Sequence, residues 1–308
     1  MNKYSPEGKL INTLENKNML KTLVSLEDAM ARGEILEARA LVCDSEHNIT
    51  VDLPCAKGII PRIEGAVGIE TGETKDIALI TKVNKPVCFK VINIINDGGT
   101  PTAILSRRAA QEDCIKNRLN SLKAGTVIDA RVTHLEQFGC FVDVGCGVPS
   151  LIPIDAISVS RISHPSDRFY VGQDIKVIIK AVDDGRVWLS HKELLGTWRE
   201  NAGMFKAGET VSGIVRSVED YGVFIELAPN LAGLAEPKDG VETGCYASVY
   251  IKALIPEKMK VKLIIVDLFD NNEFSTKDRS LKYFIDSGHI DYWKYTPDTA
   301  EKLVESRF

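Results

Sequence analysis

Two short phrases carry the residues best suited to chemistry: EQFGCFVDVG at 136–145 and EDYGVFIEL at 219–227. Each sets two rings around a glycine, Phe138 and Phe141 in the first, Tyr221 and Phe224 in the second. Rings on an open wall stack on unpaired bases, worth about 1–3 kcal/mol per base and tolerant of sequence. The residues after each glycine alternate apolar and polar, as on a half-buried strand, so each ring also has a packing reading. Further on, Arg186, Trp188 and Ser190 alternate with Val187 and Leu189. If the aliphatic pair faces inward, Arg186 and Trp188 face outward, and Trp188 is either a third stacking platform or an interdomain packing residue. Lys176 and Lys180 suit phosphate oxygens or plain solvation, and Arg131 and Arg168 have the same two readings. His164, in RISHPSDRF, either meets a ligand or packs in its loop. Asp143 and Glu226 would repel phosphate if exposed, or accept hydrogen bonds from bases.

The elements that position these residues form a degenerate repeat. With Gly33, Gly125 and Gly208 as zero points, Phe138 and Tyr221 share one offset, as do Gly139 and Gly222, Phe141 and Phe224, and Asp143 and Glu226. The first copy keeps Gly58 where the others have Ser150 and Gly233, but reads EHNIT in place of the aromatic phrase. Late in each unit comes a strand pair. PVCFKVINIINDGGTPTAILSRR and VGQDIKVIIKAVDDGRVWLSHKE each place an Asn/Asp-Gly turn between apolar runs, a hairpin signal. The third unit, with ALIPEKMKVKLIIVDL, lacks that turn, so its closing hairpin must differ. Five short strands per unit suit a small closed barrel, which removes free strand edges.

This reading divides the chain into an N-terminal extension with a short helix (1–32), a divergent barrel (33–108), a helical linker (109–124), a barrel (125–193), a linker (194–207), a divergent barrel (208–268) and a mixed C-terminal extension (269–308). The first two dozen residues show little periodicity and are expected to be flexible. SLEDAMARG reads as a helix capped through Ser25 and Asp28 and stopped by Gly33. RRAAQEDCIKNRLNSLK reads as a helix, either solvated between barrels or touching phosphate. Trp198 and Phe205 are expected to pack against a neighbouring unit. Thr296 and Pro297 predict a C-terminal helix with Ala300, Leu303 and Val304 on its apolar face; the tail either docks on the third barrel or offers a surface to a partner or nucleic acid.

The net charge of −5 over 308 residues argues against a strongly basic nucleic-acid binder without excluding a local basic path. Seven cysteines with no CxxC pair read as ordinary thiols, and with no secretion signal they favour a reducing cytoplasm. No apolar run is long enough to span a membrane, and no P-loop or HExxH pattern occurs. The expectation is a binder without catalytic residues, metal or cofactor.

The second unit, from GTVIDARVTHLEQFGCFVDVG to VWLSHKE, and the opening of the third, GETVSGIVRSVEDYGVFIEL, resemble the S1 RNA-binding domain family. The resemblance spans residues 33–268. It implies OB-type five-stranded barrels that bind single-stranded RNA. It places the family's aromatic positions at Phe138, Phe141, Tyr221 and Phe224 and its basic position at Arg186. Pro153 stands where the family often has histidine, and the third unit reads GLAEP in that region. By the same analogy the first unit is a ribosome-docking or structural module. The implied function is recruitment of messenger RNA to the small (30S) ribosomal subunit. The alternatives are a non-ribosomal RNA adaptor and a protein-interaction scaffold in RNA processing or regulation.

Overall fold

The computed structural model describes residues 3–96, 98–183, 186–269 and 281–308. The chain is mainly β: three closed five-stranded barrels joined by helices, with a small C-terminal extension. Barrel 1 comprises β1 (Leu36–Cys43), β2 (Ile49–Asp52), β3 (Lys57–Ile60), β4 (Pro86–Ile95) and β5 (Thr102–Ser106). Barrel 2 comprises β6 (Val127–Glu136), β7 (Gly139–Asp143), β8 (Pro149–Pro153), β9 (Asp174–Asp183) and β10 (Arg186–Ser190). Barrel 3 comprises β11 (Thr210–Glu219), β12 (Gly222–Ala228), β13 (Leu231–Ala235), β14 (Tyr246–Ile255) and β15 (Lys260–Phe269). In each barrel the third strand pairs parallel with the fifth, and the fourth closes antiparallel on the first. This is the OB-type order. Alternation drives closure: Ile128, Ala130 and Val132 of β6 meet Ile175, Val177 and Ile179 of β9 inside barrel 2, all buried.

The strand pairs β4–β5 and β9–β10 stand where the Gly-turn hairpins are expected. Asp97, Asp184 and Gly185 of those turns lie outside the described residues. Barrel 3 turns instead through Pro256–Lys258, with Met259 in the left-handed region at φ 48°.

The expectation of a flexible N-terminus is overturned. Residues 4–11 run between barrels 1 and 2, held by buried carboxylates. Glu37 of β1 accepts from the backbone N–H groups of Gly8, Leu10 and Ile11. Glu7 accepts from Arg107 at 2.7 Å and Lys82 at 2.8 Å, while its own N–H donates to Asp143 of β7 at 2.6 Å. A strap of successive turns fastened by side-chain acceptors leaves no periodic apolar signature. Two helices follow, α1 (Leu14–Leu20) and α2 (Leu23–Arg32). The capping box of α2 joins Thr22 to Ser25, three residues earlier than the Ser25/Asp28 pair expected, and Gly33 ends the helix at φ 63°.

A short helix, α3 (Ile77–Ile80), sits in the β3–β4 insertion. The linker helix α4 (Arg107–Asn117) starts at an N-cap on Ser106 and buries Arg107, Ala110, Gln111 and Cys114 between barrels. After α5 (Trp198–Ala202), whose Trp198 is buried, the chain enters barrel 3.

The predicted C-terminal helix is absent. β16 (Tyr292–Lys294) pairs antiparallel with β17 (Glu305–Arg307), and the connecting residues make one turn at Pro297. The chain does turn at Pro297, but Tyr295 N–H donates to the Val304 carbonyl and Trp293 and Tyr295 are buried with the barrel 3 core, which together draw the segment into a hairpin. Leu303, expected inside, is 60% exposed. The extension touches both neighbouring barrels: Tyr283 Oη lies 3.2 Å from His191 Nε2, and Tyr295 Oη donates to the Asn230 carbonyl.

Candidate nucleic-acid interface

Strand register assembles the barrel 2 face. His134 of β6 pairs with Phe141 of β7, Phe141 with Leu151 of β8, and Leu151 with Trp188 of β10. Partners across a sheet point to the same side, so these four side chains form one row across the outer wall. Trp188 is 56% exposed. Phe138, at the β6–β7 turn and 57% exposed, stands edge-on to Phe141, with ring centroids 6.0 Å apart at 89°. The His134 ring lies 6.4 Å from that of Phe141. Gly139 is required where it is, because a Cβ there would meet the Ile152 carbonyl oxygen at 2.5 Å.

Barrel 3 repeats the row with other chemistry: Ser217, Phe224, Leu234 and Lys262. Tyr221, 68% exposed, is edge-on to Phe224, with centroids 6.1 Å apart at 85°. In barrel 1 the row reads Val42, Thr50, Ile59 and Ile104. That row has no ring to stack on a base.

The cations singled out in the sequence part company. Arg186 is exposed and lies 4.0 Å from Glu73 of the barrel 1 insertion. Lys180 is exposed at a register shift in β9. Lys176 is paired with Asp129 at 2.7 Å on the β6–β9 wall. Arg131 is tied to Asp174 at 2.9 Å and to the Glu7 carbonyl. Arg168 is not on the face at all. It is buried between barrels 2 and 3, with its guanidinium on both oxygens of Glu226 and on the Pro229 carbonyl. Burial pushes its pKa down and Glu226 pulls it back up. His164 caps the short turn Pro165–Asp167, its Nδ1 accepting from the Ser166 N–H at 3.1 Å.

The carboxylates that threatened to repel phosphate are also buried. Asp143 accepts from the N–H groups of Glu7, Gly145 and Gly147. Glu226 accepts from Arg168 and, at 2.8 Å, from Arg216. The same repeat position therefore fastens one barrel junction in each case.

Sequence reasoning did not single out His134, Leu151, Lys252, Lys260 or Lys262. The signal for Lys252 is a repeated triplet: Ile179-Lys180-Ala181 and Ile251-Lys252-Ala253 occupy the same register shift in β9 and β14.

Five-stranded OB-type barrels with an exposed aromatic row define a protein of the S1 RNA-binding class, and the S1 RNA binding domain family matches residues 121–192, essentially barrel 2. Single-stranded RNA is the general ligand class that this domain supports. The relatives take the assignment further. The small ribosomal subunit protein bS1 of Staphylococcus aureus (strain MRSA252) is 30% identical over 290 residues, covering 88% of this chain and 71% of that protein. The bS1 homolog of Bacillus subtilis (strain 168) is 32% identical over 203 residues, covering 62% of this chain and 51% of that protein. The chain belongs to the bS1 family. Among solved structures, GSP13 from Bacillus subtilis is 26% identical and covers 23% of this chain and 55% of that one, with a TM-score of 0.22, an overlap that carries no functional weight.

Proposed function

We propose that the chain captures single-stranded messenger RNA and brings it to the small ribosomal subunit in the cytoplasm. The observation that carries this reading is the row His134–Phe141–Leu151–Trp188, with Phe138 edge-on at its end. Unpaired bases stack on the rings while Arg186 and Lys180 steer phosphates. No bond is made or broken. Two modest RNA faces on one chain raise the local concentration of the second site once the first is filled. Barrel 1, aliphatic where the others carry rings, serves docking to the subunit rather than RNA capture. The small-subunit names of the relatives support that assignment.

Two measurements test the proposal. The Phe138→Ala/Phe141→Ala variant is expected to lose about tenfold or more in single-strand affinity, from about 1–3 kcal/mol per base, with its melting temperature kept. Unchanged affinity in the folded variant removes the platform. Cosedimentation with 30S subunits that survives nuclease treatment supports docking through protein. Cosedimentation lost with the RNA points to a non-ribosomal adaptor.

A further inference from the structure

We propose that the β14–β15 hairpin of barrel 3 is a phosphate-backbone site made by Lys252, Lys258, Lys260 and Lys262. This rests on the RNA-binding reading and assigns barrel 3 its mode of contact. Lys262 completes the row that starts at Ser217 and runs through Phe224 and Leu234, the place Trp188 holds in barrel 2. Lys260 lies two residues earlier on β15, with its side chain on the same side, and answers to Arg186 in the repeat. Lys252 sits in the register shift of β14, as Lys180 does in β9. Lys258 is in the hairpin turn, and the left-handed Met259 separates it from Lys260.

All four ammonium groups are exposed, and among the described residues none has an ion pair or hydrogen bond. Glu257 is the one acid between 252 and 262. Like charges gathered on one hairpin repel, in a chain whose net charge is −5. The arrangement is stabilised by a polyanion laid along it. A strand whose bases stack on Tyr221 and Phe224 carries its phosphates on toward Lys262 and the rest of the hairpin. Barrel 2 divides the work differently. There a ring fills the row, while Lys176 and Arg186 stand beside Asp129 and Glu73. Both barrels offer rings to bases, and barrel 3 carries the larger share of the grip on the backbone.

The test is the salt dependence of binding to a single-stranded oligouridylate, measured on the full chain. Each neutralised phosphate contributes roughly 0.7 to the slope of log K against log salt for single strands. Replacing all four lysines by alanine is expected to flatten the slope by about 3. From about 50 to about 200 mM salt, the unaltered chain then loses about 60-fold more affinity than the variant. The four lysine-to-arginine changes keep the slope, and Phe138→Ala/Phe141→Ala lowers affinity at every salt without changing it. If the unaltered chain binds the oligonucleotide and the alanine variant keeps the full slope, the hairpin assignment falls while the RNA-binding reading stands. If the unaltered chain does not bind, the RNA-binding reading itself falls.

Discussion

Trp188 and Lys262 hold one position in two copies of the same barrel, each joined through a leucine to a half-buried phenylalanine. One is a flat apolar ring and the other a point charge. Two residues along β7 and β12 from those phenylalanines, Asp143 and Glu226 also share a position, and both are buried. A barrel wall thus has an open half and a covered half, and the repeat keeps the division while changing the chemistry in each. In the covered half, Asp143 meets backbone N–H groups of the N-terminal strap and of its own loop, whereas Glu226 meets two guanidinium groups. The open half tolerates exchange because solvent compensates. In the covered half each acid needs its own set of buried donors.

The largest effect is expected at the covered position. Glu226→Ala leaves Arg168 and Arg216 buried without their shared carboxylate, and breaking a buried pair from one side costs about 3–5 kcal/mol. Chemical denaturation should show that loss, while Phe224→Ala, on the same face of β12, should change RNA affinity far more than stability. If both variants lower stability alike, the open-versus-covered division is wrong.

Next in size is a pH effect confined to barrel 2. The residue after the Leu-Ser at the end of the closing strand is Arg107 in barrel 1 and His191 in barrel 2, both buried, and Ile265 takes that place in barrel 3. Burial lowers the His191 pKa from 6.5 to about 4, with its imidazole held between the Ile157 carbonyl at 2.8 Å and the Tyr283 hydroxyl. The unfolded chain binds the proton more readily than the folded one. The stabilisation is therefore present above about pH 6.5 and lost as pH falls toward about 4, a loss on the order of 3 kcal/mol. A His191→Gln variant should show a flatter stability profile across that window. A profile identical to that of the unaltered chain would place the titration elsewhere.

These two predictions rest on residues that the sequence showed poorly, and the reason is physical. The three barrels were legible because strand alternation and the glycine offsets are local. So was the placement of Phe138, Phe141, Tyr221 and Phe224 on the β6–β7 and β11–β12 hairpins. Arg168 resembled a solvated loop cation because its partner, Glu226, is 58 residues away. The strap at residues 4–11 was invisible because its stabilisation comes from single carboxylates that collect backbone donors, which has no period. Thr296 and Pro297 do make a turn, but cross-strand pairing and the burial of Trp293 and Tyr295 outweigh a helix cap of about 1 kcal/mol. Lys260 and Lys262 carry a weak sequence signal because their hairpin turns through Pro256–Lys258 and lacks the Asn/Asp-Gly turn of its counterparts.

The open halves yield smaller and more selective effects. Phe141→Ala and Phe224→Ala each remove a ring worth about 1–3 kcal/mol per base. Fluorescence anisotropy with a short single strand should show a loss of about tenfold for each. The difference lies in what remains. After Phe141→Ala, binding leans on the lysine hairpin and falls steeply with salt. After Phe224→Ala, it leans on the barrel 2 rings and is less salt-sensitive. Equal salt slopes in the two variants would erase the distinction between the barrels.

The finest test exchanges the two residues that differ. Trp188→Lys adds a cation to barrel 2 and removes a ring, so the salt slope should rise by roughly 0.7 while affinity at high salt drops. Lys262→Trp should do the reverse, lowering the slope by roughly 0.7 and raising affinity at high salt. Both side chains are exposed, so neither exchange disturbs a core, and melting temperatures should be unchanged. With both changes in one chain, the slope should return to its starting value, because one phosphate contact has moved from barrel 3 to barrel 2. A double variant whose slope stays displaced would mean that the row positions are not equivalent for the RNA, and that Lys262 acts through the hairpin alone.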